Sequence, residues 1–373
     1  MVDLRGQYDR IRDEINDAIR EVIEQTAFIG GPAVERFSRA FSEYLDGLNV
    51  VPCANGTDAI QIALMALGVG QGDEVITPSF TFVATAEAAA LLGATPVFAD
   101  IEADTFNIDP TALEPLITDR TKAIVPVHLF GQTASMDPIL EIADRHGIPV
   151  VEDAAQAVGA RYGTRVAGSM GAFGTISFFP SKNLGAYGDA GAVLSADPAR
   201  AATARLIANH GSSKKYHNEI VGVNSRLDAV QAAVLRVKLG YLDSYTRARV
   251  EAADRYDQLL GDLDGIRIPV RANDRTHVFH QYTIRVRDGR EARDSLAEHL
   301  KDAGIPFGIY YPVPMHRLPV FAGESAPSRH GPMDETERAA DQVLSLPMHS
   351  ELTEDQQRRI TDSIRGFFGA SGR

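Results

Sequence analysis

Only one cysteine, Cys53, occurs in the 373 residues, so no internal disulfide framework can hold this chain, and a reducing, cytoplasmic compartment is expected. Long apolar runs are missing too: no stretch reaches the roughly 18 consecutive apolar residues of a membrane-spanning helix. The opening MVDLRGQYDRIRDEI is charged and helix-like, without an apolar segment, so no secretory signal is expected. Cations are in the minority. With 37 Lys and Arg against 50 Asp and Glu, the formal net charge is -13, which argues against a nucleic-acid backbone or an anionic membrane as partner. No Gly-Lys pair exists for a P-loop, and neither H-E-x-x-H nor paired cysteines are present for a metal. Gly68-Val69-Gly70-Gln71-Gly72 has the wrong spacing for G-x-G-x-x-G and follows a helical pattern, so a dinucleotide fingerprint is excluded. Neither an internal repeat nor a low-complexity segment is visible.

What is present is a long alternation of strand and helix patterns. An amphipathic opening helix is marked by Ile11, Ile15, Ile19, Val22 and Ile23. Pro32 suits the first turn of a second helix carrying Phe37, Phe41 and Leu45. Candidate strands then follow at Val50–Cys53, Glu74–Thr77, Thr95–Phe98, Ala123–Val127, Ile148–Glu152, Thr175–Phe179 and Ala192–Ser195. Helical patterns at Thr57–Leu67, Phe82–Leu92, Pro110–Ile117 and Pro138–His146 separate most of them. Such alternation predicts an α/β fold with a mostly parallel sheet covered on both faces. No helix separates the last two strands, which allows an antiparallel pair there. From Arg226 a long helical pattern runs to Leu260, bridging to a second unit. Strands at GIRIPV, HQYTIRVR and Pro306–Tyr310, with helices near Ala292–Ala303, Glu335–Leu344 and Thr353–Phe367, predict a smaller α+β domain. The expected division is residues 1–240 and 241–373.

The stretch from Gly147 to Val193 concentrates the chemistry. One apolar run stops at Asp153, and a second feeds the turn Pro180-Ser181-Lys182-Asn183 and then a Gly-rich segment ending at Gly191. Ligands of open α/β sheets sit beyond the carboxyl ends of the strands, so Asp153 and Lys182 are candidates for one crevice. A carboxylate and an amine placed there are the minimum kit of a pyridoxal phosphate enzyme. The lysine forms a Schiff base with the cofactor aldehyde, and the carboxylate keeps the ring nitrogen protonated. Asn55-Gly56-Thr57-Asp58, opening a helix after the first sheet strand, is a competent phosphate seat, with Ser177 near enough to Lys182 to donate as well. Each feature has a plainer reading. Asn55 or Thr57 equally reads as an ordinary helix cap, Asp153 as a cap before Ala154, and Lys182 as a solvated loop lysine. Their joint placement is what favours the chemical reading. Cys53 reads as core, and His277 and His280 as structural residues rather than metal ligands.

Taken together, CANGTDAIQIAL, GDEVITPSFTFVATAEA, PVVEDAAQAVGA, SFFPSKNLGAYGDAGAV and HGSSKKYHNEIVGVNSRLDAVQAA resemble successive landmarks of the DegT/DnrJ/EryC1/StrS family. The resemblance runs from the first helix to about Pro347. It implies a pyridoxal-phosphate-dependent aminotransferase of the aspartate-aminotransferase-like fold (fold type I), with a seven-stranded mixed sheet. Lys182 would carry the cofactor and move the proton; Asp153 would pair with the ring nitrogen, Gln156 would contact the ring hydroxyl side, and Phe82 would lie over the ring. Gly56, Thr57, Asp58 and Ser177 would hold the phosphate. Asn224 would reach it from a neighbouring subunit, making a homodimer the functional unit. Arg226, Tyr310 and Tyr311 would lie near a sugar nucleotide. One branch of the family has histidine for the lysine and dehydrates instead; Lys182 favours amino transfer. The expected reaction moves the amino group of L-glutamate to C3 of a UDP-linked 2-acetamido-3-keto-glucuronic acid, for surface polysaccharide or amino-sugar biosynthesis. Tyr310-Tyr311-Pro312 departs from the His-Tyr-Pro that such enzymes commonly carry. The alternatives are a dTDP-3-keto-6-deoxyhexose aminotransferase and, more remotely, a cofactor-bearing regulator without turnover.

Overall fold

A computed structural model describes residues 1–323 and 326–371 of the chain. All seven candidate strands of the first part form, at Asn49–Cys53, Glu74–Pro78, Thr95–Ala99, Thr121–Ile124, Val151–Asp153, Phe173–Ser177 and Gly191–Ser195. They do not make the single seven-stranded sheet that was expected. Asn49–Cys53, Gly191–Ser195, Phe173–Ser177 and Val151–Asp153 build one four-stranded sheet in that spatial order. Thr95–Ala99, Glu74–Pro78 and Thr121–Ile124 build a parallel one, completed by Arg329–His330 from the C-terminal part. Where the two sheets meet, only isolated parallel bridges join them among the described residues, Ile124 with Val150 and Val127 with Asp153. The cause is local: Pro126 and Pro149 flank this junction, and a proline offers a carbonyl but no N–H to continue a ladder. Both carbonyls are used, by the Asp153 N–H at 2.9 Å and the Ile124 N–H at 3.1 Å. Phe173–Ser177 and Gly191–Ser195 are antiparallel, as their short connection allowed.

Strand alternation divides the core between the sheet's faces. Ala192 and Leu194 pack with Phe37, Phe41 and Phe178 on one side, while Val193 packs with Ile62, Leu64 and Val75 on the other. Cys53 is fully buried in the second cluster, and burial pushes its thiol pKa up, so it is a core residue. Four further sequence expectations need correction. The helix expected at Glu335–Leu344 ends at Gln342, where the strand Val343–Leu346 begins. Pro110–Ile117 forms two 3₁₀ turns, Pro110–Ala112 and Glu114–Leu116, because Pro115 cannot donate within a continuous helix. The long pattern after Arg226 is two helices, Ala229–Leu239 and Leu242–Leu260, parted at Gly240-Tyr241. Pro306–Tyr310 is not a strand; only Gly308 bridges to Ser345. The three-stranded antiparallel sheet of the C-terminal part is Ile266–Arg267, Tyr282–Val286 and Val343–Leu346, packed against Leu242–Leu260, Gly289–Asp302 and Glu354–Ser371. No helix among the described residues is long and apolar enough to cross a membrane.

One buried polar knot fixes the strand end that matters most. Glu152, directly before Asp153, is fully buried. Its carboxylate accepts the N–H groups of Gly168, Met170 and Gly171 at 2.8, 2.5 and 2.7 Å, and lies 2.8 Å from Nε2 of buried His128. The Ala134 N–H points at His128 Nδ1 at 3.1 Å, so Nδ1 accepts and Nε2–H donates to the carboxylate. Glu152→Ala would strand four donors in the interior. The expected cost is on the order of 3 kcal/mol or more, read as a lowered midpoint of denaturant unfolding.

Candidate active site

The carboxyl ends of three strands and the start of one helix surround a cavity of about 820 Å³. Asn49–Cys53 leads into the helix Gly56–Ala66, whose N-cap is Asn55, with Oδ1 accepting the Asp58 N–H at 2.8 Å. The N–H groups of Gly56 and Thr57 have no acceptor within the helix, and both residues line the cavity. Ser177, the last residue of its strand, closes over this helix start. A Cβ on Gly56 would sit 2.6 Å from Ser177 Cβ, so only glycine permits the approach. We expect Gly56→Ala to push the two apart and weaken cofactor binding by about 10-fold to 100-fold, measured by titrating the cofactor into apoprotein.

Asp153 ends the neighbouring strand and is buried. One carboxylate oxygen accepts the Thr85 hydroxyl at 2.8 Å and the other the Ala155 N–H at 3.1 Å, which fixes the plane of the group at the cavity wall. Lys182 stands on the turn after Phe173–Ser177, with its own N–H bonded to the Phe179 carbonyl at 2.8 Å. Burial lowers the pKa of its amine to about 8, and the charge of Asp153 pulls in the opposite direction. Gln156 is locked at both ends: Oε1 accepts the Phe130 N–H at 2.8 Å and Nε2 donates to the Tyr311 hydroxyl at 3.2 Å. Phe82, 57% exposed, lies 6.4 Å from the Tyr311 ring, and Tyr310 and Tyr311 form part of the lining.

Ten of the site residues expected from the sequence therefore share this cavity: Gly56, Thr57, Asp58, Phe82, Asp153, Gln156, Ser177, Lys182, Tyr310 and Tyr311. Asn224 and Arg226 do not line it; both are exposed. Ser225 between them is buried and accepts the Ala54 N–H at 3.0 Å, which ties their segment to the residue before the Asn55 cap. Sequence reasoning missed Thr85, although it closes the TFVAT segment already singled out for Phe82. His280, read as structural, lines the cavity; His277 instead stacks on Phe279 with ring centres 3.9 Å apart.

These residues suit pyridoxal phosphate on structural grounds. A helix start stripped of a Cβ, an oriented carboxylate and an amine of lowered pKa face one space. The model of the DegT/DnrJ/EryC1/StrS aminotransferase family matches residues 9–365. The chain belongs to this family. It is a pyridoxal-phosphate-dependent aminotransferase. A pleiotropic regulatory protein of Geobacillus stearothermophilus is 47% identical, over 99% of this chain and 98% of its own. A UDP-2-acetamido-2-deoxy-3-oxo-D-glucuronate aminotransferase of Pseudomonas aeruginosa is 46% identical, over 94% of this chain and 95% of its own. A dTDP-3-amino-3,4,6-trideoxy-alpha-D-glucose transaminase of Streptomyces venezuelae is 44% identical, over 98% of this chain and 94% of its own. Among solved structures, that of S. venezuelae DesV in complex with a ketimine intermediate superposes with a TM-score of 0.93 at 44% identity, covering 98% of this chain and 97% of that one.

Proposed function

We propose that this aminotransferase moves the amino group of L-glutamate to C3 of a UDP-linked 2-acetamido-3-keto-glucuronic acid. The observation that carries the reading is Asp153 and Lys182 on one cavity wall, in a chain 46% identical to an aminotransferase named for that sugar. The products are 2-oxoglutarate and the 3-amino sugar nucleotide, so atoms balance across two half-reactions. Bound pyridoxal phosphate supplies an electron sink for the pair released when a C–H bond next to nitrogen breaks. Asp153 holds the proton on the ring nitrogen, with Thr85 and Ala155 keeping its oxygens in place. Lys182 takes the proton from the α-carbon of glutamate and, in the reverse half-reaction, delivers one to C3 of the sugar. The N–H groups of Gly56 and Thr57, with the Ser177 hydroxyl, hold the phosphate, while the Asp58 N–H stays with its Asn55 cap and Asp58 only lines the seat. Gln156 contacts the ring hydroxyl side, and Phe82 covers the ring face.

Exposure of Asn224 and Arg226 suits a homodimer in which Asn224 reaches the phosphate of the neighbouring subunit and Arg226 its sugar nucleotide. Tyr310 and Tyr311 complete the sugar side. Residues 1–240 act as the cofactor-binding unit and 241–373 as the smaller one. The Streptomyces relative supports a second reading, a dTDP-3-keto-6-deoxyhexose substrate, with similar identity at 44%. Glutamate-dependent amination of a panel containing both sugar classes separates them. Faster turnover of the UDP-uronate is expected; preference for the dTDP-deoxyhexose would replace the first reading with the second.

A further inference from the structure

The cavity contains a second nitrogen base besides Lys182, and its hydrogen-bonding sense is fixed by its neighbours. Asn183, the residue after Lys182, is buried, and its Nδ2 lies 2.9 Å from the Val278 carbonyl. A carbonyl oxygen only accepts, so the amide nitrogen must face it. Asn183 Oδ1 is thereby turned to His280 Nδ1, 3.3 Å away. That oxygen also only accepts, so Nδ1 of His280 carries the hydrogen. In a neutral imidazole the other nitrogen, Nε2, is then a bare lone pair. His280 is 6% exposed and lines the cavity, and Nε2 has no hydrogen-bond partner among the described residues. Burial, with the nearby positive charges of Lys182 and Arg249, holds the imidazole neutral.

Nε2 therefore opens onto the cavity with no protein donor against it, which leaves it free to accept from a bound ligand. The cofactor does not provide one: its phosphate and phenolate oxygens accept, and its ring N–H belongs to Asp153 in the function proposed above. The carboxylates of glutamate only accept, and its nitrogen must face the cofactor carbon to which it is transferred. The sugar ring remains, with its O–H groups and, in a 2-acetamido sugar, an amide N–H. From this geometry we infer that His280 Nε2 is a specificity-determining acceptor for an O–H or N–H donor on the keto-sugar ring, with Asn183 as the positioning residue that sets its tautomer. The inference rests on the proposed sugar-nucleotide substrate.

Nitrogen NMR of protein labelled in histidine tests it without turnover. In the free holoenzyme His280 should show a protonated Nδ1 and a bare Nε2, and saturating amino-sugar nucleotide product should shift Nε2 alone. Asn183→Leu should release the lock and admit the other tautomer. In steady-state assays, His280→Phe should raise KM for the sugar by about 10-fold, more than for glutamate, and abolish discrimination against the analogue deoxygenated at the recognised carbon. An N-acetyl analogue against its hydroxyl counterpart distinguishes the two donors. A protonated Nε2 in the free protein overturns the inference. So does an Nε2 unmoved by a sugar nucleotide that the enzyme aminates, and in that case the proposed function stands. If no sugar nucleotide is aminated, the function fails first and this inference with it.

Discussion

Lys182→Ala should lower glutamate-dependent amination by at least about 10³-fold while leaving the fold intact. The side chain is asked to do two jobs, covalent tethering of the cofactor and proton transfer at two different carbons, and positioned acid–base catalysis alone contributes roughly 10²–10⁴-fold. Structural damage is not expected, because Lys182 Nζ makes no hydrogen bond to any described residue, and the turn is anchored by the Lys182 backbone N–H and by Asn183 instead. Steady-state kinetics with a melting curve of the same preparation would check both halves. The amine also sets a pH signature. A lysine with its pKa lowered to about 8 is mostly protonated at neutral pH and mostly free base above pH 8. Capture of cofactor by apoprotein should therefore accelerate as pH rises, with a midpoint near 8 rather than near the ordinary lysine value. Folding stability carries the same sign. The unfolded chain holds the lysine proton more tightly, so the apoprotein gains stability from this group as pH rises from about 8 toward the unfolded lysine pKa.

Asp153→Asn comes next in size. The amide is nearly isosteric, but it carries no charge to keep a proton on a ring nitrogen, and its NH₂ must face either that nitrogen or one of the two donors now bonded to the carboxylate. Thr85 Oγ1, at 2.8 Å, can turn and accept, whereas the Ala155 N–H cannot. The substituted amide would thus orient its oxygen to Ala155 and still fail electrostatically. We expect kcat to fall by roughly 10²–10⁴-fold with cofactor binding largely retained, because the proposed phosphate seat lies on a different element. Retained cofactor with lost turnover, measured on one sample, separates this outcome from unfolding. Thr85→Val should give a smaller loss in the same direction, since it removes one of the two groups orienting the carboxylate.

Why Asp153 and Lys182 were visible in the sequence, while their supporting residues were not, has a physical cause. Each stands where an apolar run stops, and strand ends on one sheet edge converge by topology alone. Asn55-Gly56-Thr57 was readable for a similar reason, since a cap after a strand needs only local chemistry. Thr85, Asn183 and His280 act through contacts between elements far apart in the chain; the Asn183 and Val278 pair is separated by 95 residues. No spacing rule announces such a pair. The errors in the fold have local causes. Pro126 and Pro149 interrupt the ladder between the two sheets, and Pro115 breaks a pattern whose apolar spacing suited a helix. Gly240 splits what read as one long helix. Pro306–Tyr310 has strand-like composition, yet Gly308 and its neighbours are spent on reaching the cavity with Tyr310 and Tyr311. Arg329–His330, the strand added to the parallel sheet from the C-terminal part, is two residues long and leaves no periodic signal at all.

The proposed function rests on a division of labour between an amine, Lys182, that bonds the cofactor and a carboxylate, Asp153, that holds its ring proton. The decisive experiment is the visible absorption spectrum of purified holoenzyme before and after L-glutamate, alongside Lys182→Ala. Expected is a band from lysine-bound cofactor that decays on glutamate addition with release of an equivalent of 2-oxoglutarate, and no such band in the variant. A variant showing the same band and the same decay would place the reactive amine elsewhere and contradict the role assigned to Lys182.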